Sequence, residues 1–365
     1  MNDHEALLRA CALARRGAFD VEPNPMVGAV VCRDGELLGE GWHRAFGGPH
    51  AEVDALLRAG SRARGATLVV TLEPCSTTGK TPPCTQAVLA AGIARVVVGS
   101  ADPDPRHQGR GLQQLLAAGV HVDLVELPEA RALLGRFAAG LGSRRPHVLA
   151  KWAMTRDGAI APAGGGRAQI SCRQSRELVH RWRAHVDAIV VGVNTVLADD
   201  PQLTARGALP GPRPLRRVVL DPSLRLPFGC RLIATASETP TWVFCADDAS
   251  HPIETALVAE GLSVYRVPRG PDWLAGVFTM LRAQGCRRVM VEGGGHTLAT
   301  CLAADLVDQA AIFMAPQLLG SHALSAVEGL SLASLSPHEV ARALALSDCR
   351  VARSGTDTLL RGFRA

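Results

Sequence analysis

The sequence predicts an α/β protein of two layered domains, and three observations carry that expectation. Strand and helix signals alternate from residue 5 to residue 127, a polar GSRRP stretch interrupts them at 142–146, and a second alternating series begins at residue 147. With 365 residues the chain is too long for one ordinary core, so domains at 1–145 and 146–365 are expected. Hydrophobic residues make up 47% and charged residues 20%, which suits packed cores and excludes a disordered chain.

In the first half, residues 5–16 have helical periodicity. VGAVVC (27–32) is a strand, and the Arg33-Asp34-Gly35 turn leads into GELLGEGWH (35–43) as a hairpin. HAEVDALLRAG (50–60) reads as a helix closed by Gly60, ATLVVTLE (66–73) as a strand, and CTQAVLAAG (84–92) as a helix closed by Gly92. Strand 94–100, helix 109–119, strand 120–127 and helix 129–140 complete the series. In the second half, strands are expected at 147–155, 187–192, 216–221, 241–246, 262–267, 287–292 and 310–316. Helices fit 172–184, 251–260, 272–284 and 296–304.

The start of the chain reads as a helix and not a signal peptide, and no eighteen-residue apolar run predicts a membrane span. A cytoplasmic location is expected, with the ten cysteines reduced and any paired ones serving a metal. Formal net charge is +5 without a run of five basic residues, which argues against nucleic acid and leaves anionic small molecules open as partners.

The sharpest chemistry lies in His50-Ala51-Glu52, Glu73-Pro74-Cys75 and Pro82-Pro83-Cys84. One imidazole and two thiolates suit zinc, and catalytic zinc keeps three protein ligands with the fourth position open to water. Glu52 stands two residues beyond His50, placed to move a proton between that water and a leaving amine. The pattern matches the H-x-E with P-C-x-x-C signature of zinc deaminases, except that eight residues separate the cysteines. Cys32 and His43 are the other candidate ligands and are assigned to the hairpin. In the second half, RRVMVE (287–292) followed by GGGHTLATCLAA is a strand, a glycine-rich turn and a helix, a form that brings backbone amides to a phosphate. It lacks the G-x-G-x-x-G dinucleotide fingerprint.

PNPMVGAVV (23–31), GWH (41–43), HAEVDAL (50–56) and TLEPCSTTGKTPPCTQAV (71–88) resemble the bifunctional riboflavin-biosynthesis deaminase–reductases, whose long Cys–Cys spacer this chain shares. KWAMTRDGAIA (151–161), RAHVDAIVVGVNTVLADDPQLTAR (183–206) and VDQAAIFMAPQLLG (307–320) extend the resemblance over nearly the whole chain. It implies a cytidine-deaminase-like α/β/α domain followed by a dihydrofolate-reductase-like α/β domain. It implies zinc at His50, Cys75 and Cys84, proton transfer by Glu52, and deaminase substrate contacts at Asn24, His43 and Lys80. On the reductase side it places substrate at Lys151, Arg167, Ser171, Arg183, Leu203, Arg206 and Glu292. It places NADPH at Ala153, Gln169, Thr195 and Asp199, and along Gly294, Gly295, His296, Thr297, Leu298, Ala299 and Thr300. The substrate would be 2,5-diamino-6-ribosylamino-4(3H)-pyrimidinone 5′-phosphate, first deaminated and then reduced to the ribityl compound, by a homodimer or larger assembly.

The chain departs from the family pattern at several positions. Thr77 stands where members have His, and Asp104 stands in Asp-Pro-Asn-Pro. Arg167 and Gln169 replace a Ser and a Trp, and Gln309 replaces the Glu of an Asp-Glu pair. Thr77, Arg167 and Gln169 motivate a second reading, a diverged paralogue in a related pyrimidine-derived metabolite pathway whose reduction is altered or lost. The general zinc motif also permits a nucleic-acid deaminase, and a zinc-stabilised module without turnover is a further alternative.

Overall fold

The computed structural model describes all residues except 79–81, 165, 167, 208–213, 321 and 365. It divides into two compact units, Met1–Ser143 and Arg144–Ala365.

The first unit contains α1 (Asp3–Ala14), β1 (Gly28–Arg33), β2 (Glu36–Trp42), α2 (Ala51–Ala59), β3 (Thr67–Val70), α3 (Cys84–Ala90), β4 (Arg95–Val98), α4 (Arg110–Ala117), β5 (His121–Leu124), α5 (Pro128–Ala132) and α6 (Gly135–Ala139). Its sheet has the order β2-β1-β3-β4-β5. The first two pairings are antiparallel and the last two parallel. Alternate residues supply two faces, as the two-residue period of a strand requires. Ala29, Val31, Leu68, Val70, Val96 and Val98 pack with Ala51, Ala55, Val88 and Leu115 of α2, α3 and α4. Val30, Cys32, Val69 and Val97 pack with Leu7, Ala10 and Ala14 of α1 and with Ala130 of α5. The result is three layers, helix on sheet on helix. Cys32 is therefore a core thiol and not a metal ligand. The helix expected over 129–140 is two short ones, α5 and α6.

Close approach of α1 to β1 rests on Gly28, where a Cβ would run into the backbone of Ala10 and Ala14. Gly28→Ala should therefore cost about 1–3 kcal/mol or more, since the helix must lift from the sheet. Denaturant titration of the purified variant would show it, and an unchanged midpoint would mean the helix can slide at no cost.

The second unit contains β6 (His147–Thr155), β7 (Ala159–Ala161), α7 (Arg173–Arg183), β8 (Ala188–Gly192), α8 (Val193–Asp199), β9 (Arg216–Leu220), α9 (Arg231–Ala234), β10 (Thr241–Ala246) and α10 (His251–Ala259). There follow β11 (Ser263–Val267), α11 (Trp273–Ala283), β12 (Arg288–Val291), α12 (Gly295–Ala303), β13 (Gln309–Ala315), β14 (Leu324–Ser325), α13 (Pro337–Ala343), β15 (Leu346–Ser354) and β16 (Asp357–Arg364). The main sheet runs β11-β10-β9-β8-β12-β6-β13-β16-β15. Its first seven strands are parallel. The last two close it antiparallel. One face carries α11, α12 and α13, with Phe278, Leu298 and Val340 in its core. The other carries α7 and α10, with Trp182 and Leu257. Helices on both faces of a parallel sheet leave the carboxyl ends of the strands as the place where loops can build a site.

Candidate functional site

The first site forms where α2 and α3 begin. His50 is the residue before α2, and Cys84 opens α3. Cys75, in the segment after β3, accepts the Cys84 N–H at 3.3 Å on its Sγ, while its carbonyl accepts the Thr85 N–H at 3.2 Å. His50 Nδ1 lies 3.1 Å from Cys84 Sγ and 3.6 Å from Cys75 Sγ, and the three donor atoms lie within 4.8 Å of one another. Tetrahedral zinc with ordinary Zn–S and Zn–N bonds sets such atoms roughly 3.5–3.8 Å apart, so the donor set fits the ion. The hydrogen bond from Cys84 holds the Cys75 thiol down to about 4, and the same bond with burial pushes Cys84 up. A cluster that already carries a thiolate suits a divalent cation.

Glu52 is buried at 3% exposure on the first turn of α2, and burial raises its carboxyl above the ordinary range. His43 is also buried. Its Nδ1–H donates to the Pro49 carbonyl at 2.9 Å, so Nε2 is the acceptor for the Asn24 amide at 3.3 Å. Burial brings this imidazole down to about 4, so it stays neutral. The His43 and His50 rings meet edge to face at 5.3 Å. Asn24, His43, His50, Glu52, Cys75 and Cys84 are thus brought together, whereas Lys80 lies outside the described residues.

Sequence reasoning missed Glu73. Its buried carboxylate accepts N–H groups from Asp102 at 3.3 Å, Gly109 at 2.9 Å and Gly111 at 2.8 Å, tying the Cys75 segment to the loop before α4. An acid between an apolar strand and a proline was the available signal. Asp104, one of the departures, is held by a near neighbour. Arg106 forks onto its two oxygens at 2.9 and 2.5 Å and holds this carboxyl down to about 2. Thr77 is exposed.

The second site lies at the strand ends of the second unit. β12 and β6 are neighbours with Val291 opposite Ala150, which sets Glu292 beside Lys151. Glu292 accepts Arg183 Nε at 2.7 Å and Nη2 at 3.0 Å, with Lys151 Nζ at 3.5 Å. Burial opposes the charge on Glu292, yet the two cations bring it down to about 2; burial likewise lowers Lys151. Arg183 Nη1 donates to the Thr204 carbonyl at 3.0 Å, so three of its five N–H groups go to protein acceptors.

The same unit holds a cleft of about 1460 Å³, and Lys151, Arg183 and Glu292 are not among its lining residues. Gln169, Thr195, Asp199, Arg206, Gly294, Gly295, His296, Thr297 and Thr300 all line it. The cap of α12 is Gly294, with no side-chain cap bond, so the first-turn amides of this helix are open to an anion. A Cβ on Gly295 would press within 2.6 Å of the Ser325 carbonyl. Thr195 Oγ1 fixes the turn by accepting the Gly294 N–H at 3.1 Å. Size, open amides and glycines fit a dinucleotide.

Not every expected cofactor residue faces that space. Leu298 is fully buried in the core, and Ala299 packs against the same core, because a helix cannot turn successive side chains to one side. Ala153 packs against the opposite core, and Leu203 is buried with φ 49°. Ser171 presents its carbonyl to Arg176. Arg167 lies outside the described residues. Gln169 is exposed, and its carbonyl accepts Gln317 Nε2 at 3.1 Å. Gln309 stands at the amino end of β13 with its Oε1 3.4 Å from His147 Nε2, at the opposite end of the strands from the cleft.

The family model for the RibD C-terminal domain matches residues 146–360, and that for the cytidine and deoxycytidylate deaminase zinc-binding region matches 1–100. The riboflavin biosynthesis protein RibD of Aquifex aeolicus is 37% identical over 98% of this chain and 97% of its own length. The chain belongs to the RibD family.

RibD of Escherichia coli is 39% identical over 88% of this chain and 90% of its own. Among solved structures, RibD of Acinetobacter baumannii is similar with a TM-score of 0.70, 31% identity and coverage of 100% and 99%. The deaminase/reductase of Thermotoga maritima gives 0.68 and 33%, with the same coverage. The first unit is accordingly a cytidine-deaminase-like α/β/α domain, and the second the dihydrofolate-reductase-like RibD domain. The chain is a bifunctional deaminase and reductase of riboflavin biosynthesis, with zinc and NADPH as cofactors. Among the described residues no helix is long and apolar enough to cross a membrane.

Proposed function

We propose that the chain takes 2,5-diamino-6-ribosylamino-4(3H)-pyrimidinone 5′-phosphate, replaces its ring amine by oxygen at the first site, and reduces the ribosyl group to ribityl at the second. The observation that carries the first step is a buried Glu52 beside a His50-Cys75-Cys84 donor set. Zinc held by those three residues would supply Lewis acidity, which makes water a nucleophile near neutral pH. Glu52 Oε takes the proton of that water and returns it to the departing ammonia; burial suits it to hold a proton between the two transfers. Neutral His43 fixes Asn24 by accepting from its amide, which leaves Asn24 Oδ1 to accept an N–H from the pyrimidine.

At the second site, NADPH would supply the hydride. The α12 amides hold the anionic cofactor, Lys151 Nζ holds a proton beside the reacting sugar, and Glu292 with Arg183 fixes Lys151 in place. Arg183 is already held by Glu292 and the Thr204 carbonyl, so Arg206, which is exposed and lines the cleft, is assigned the substrate phosphate. A homodimer or larger assembly and a cytoplasmic location belong to the same reading.

Mass spectrometry of the products, with zinc-loaded protein and the diaminopyrimidine, tests it. The amine should exchange for oxygen without NADPH, and two hydrogens should be added only with it. Deamination without reduction would remove the second half of the reading. Zinc-replete protein without deamination would remove the first.

A further inference from the structure

The cleft has two unlike ends. One lies at Arg206 and the Gly294 turn that follows Glu292, and the reductase reading puts the reacting sugar and the nicotinamide there. The other lies beyond β9, two positions from β12 in the sheet order. From β6 to β9 there are three strand spacings, or about 14 Å, with the α12 amides between them. A dinucleotide held at its pyrophosphate by those amides delivers its adenosine to the β9 end.

Two charged residues of the loop after β9 are placed in opposite ways. Asp221, at the strand end where an acid would clasp the two hydroxyls of an unphosphorylated ribose, is fully buried; one of its oxygens accepts the Leu226 N–H at 2.8 Å. Arg225, four residues on, is exposed and lines the cleft, its Nη2 donating to Asn194 Oδ1 at 2.7 Å. Leu224, between them, has φ 54° and packs into the core, which turns the next side chain outward. Half-buried Trp273 lines the same end and offers a flat apolar face for a base. Loop geometry thus withdraws the acid and presents the cation.

We propose that Arg225, steadied by Asn194, binds the 2′-phosphate of the dinucleotide and is what makes the reductase choose NADPH over NADH. The assignment rests on the reductase reading above. A guanidinium gives that dianion charge-assisted hydrogen bonds, and an unphosphorylated ribose gains nothing from it. Arg225 is therefore a specificity residue and takes no part in hydride transfer.

The test is binding, read by calorimetry on the intact chain with NADPH and NADH, without substrate. R225Q should raise the Kd for NADPH about 10- to 100-fold and leave that for NADH within about twofold. R225K should fall between wild type and R225Q for NADPH. The preference of the wild type should shrink as salt is raised from 0.05 to about 0.5 M, since the contact is exposed. If the wild type prefers NADPH and R225Q keeps that preference, or loses both coenzymes equally, the Arg225 assignment is overturned alone. If the wild type binds neither coenzyme, the reductase reading falls and this assignment with it.

Discussion

Glu52→Gln should lower ammonia release from the diaminopyrimidine by about 10²- to 10⁴-fold, the span a positioned proton carrier contributes. The amide matches the carboxyl in shape but can neither take a proton from water nor give one to the amine. Burial already favours the neutral form of Glu52, so the exchange leaves the core of the first unit nearly as it was. Zinc content, measured by elemental analysis, should stay at the wild-type level because His50, Cys75 and Cys84 are untouched. Reduction of the already deaminated compound should also persist. Retained deamination in a zinc-replete variant would mean that another group carries the proton. It would also reopen the reading of a metal-stabilised module whose Glu52 is incidental.

Glu292→Gln should be the most damaging single change in the second unit. It leaves Lys151 and Arg183 as neighbouring cations, both nearly buried, with their shared counter-charge gone. Breaking such an arrangement costs about 3–5 kcal/mol. For a unit of this size that corresponds to a melting transition lower by about 6–20 °C, with reductase activity lost. Lys151→Met should be much milder for stability, since Arg183 and Glu292 keep each other, but it should also lose reduction.

Acid titration of the wild type gives a second measurement if the Gln variant fails to fold. The Glu292 carboxyl is depressed from 4.5 to about 2 in the folded chain. Its contribution is therefore complete above pH 4.5 and disappears as pH falls through 4.5 toward 2, amounting to about 3 kcal/mol. A second-unit transition that is flat across that window would show that Glu292 is not held by its two cations.

Much of the architecture was legible because local chemistry and global fold agree. The Arg33-Asp34-Gly35 turn takes φ 50° at Asp34 and 80° at Gly35, as a tight hairpin asks. His50, Cys75 and Cys84, whose donor atoms the fold brings within 4.8 Å of one another, stand out in the sequence because metal chemistry restricts residue type. The terminal hairpin β15–β16 was not foreseen as two strands. LSDCRVARS is exposed on both faces along most of β15, so it has no two-residue apolar rhythm to read. Helix α8 was hidden as well. Asp199-Asp200-Pro201 reads as a turn, and only in the fold does it become a helix end, with Asp200 at φ 39°. Arg225 and Glu73 are hard to single out in the sequence for a common reason: each meets its partners far along the chain. Asp104 shows the converse, since its partner Arg106 stands only two residues away.

The grip of Glu73 on Asp102, Gly109 and Gly111 makes two distant stretches of chain behave as one rigid part. Cys75 lies two residues from Glu73, so the position of a sulfur in the candidate metal site is set partly by the start of α4. Such wiring widens the target that natural variation must spare. Changes around residues 102–111 that touch neither the metal nor the pyrimidine would register as altered metal retention. It also gives an engineer a remote dial, since shortening or stiffening that loop would retune the centre without replacing any of the residues that do its chemistry.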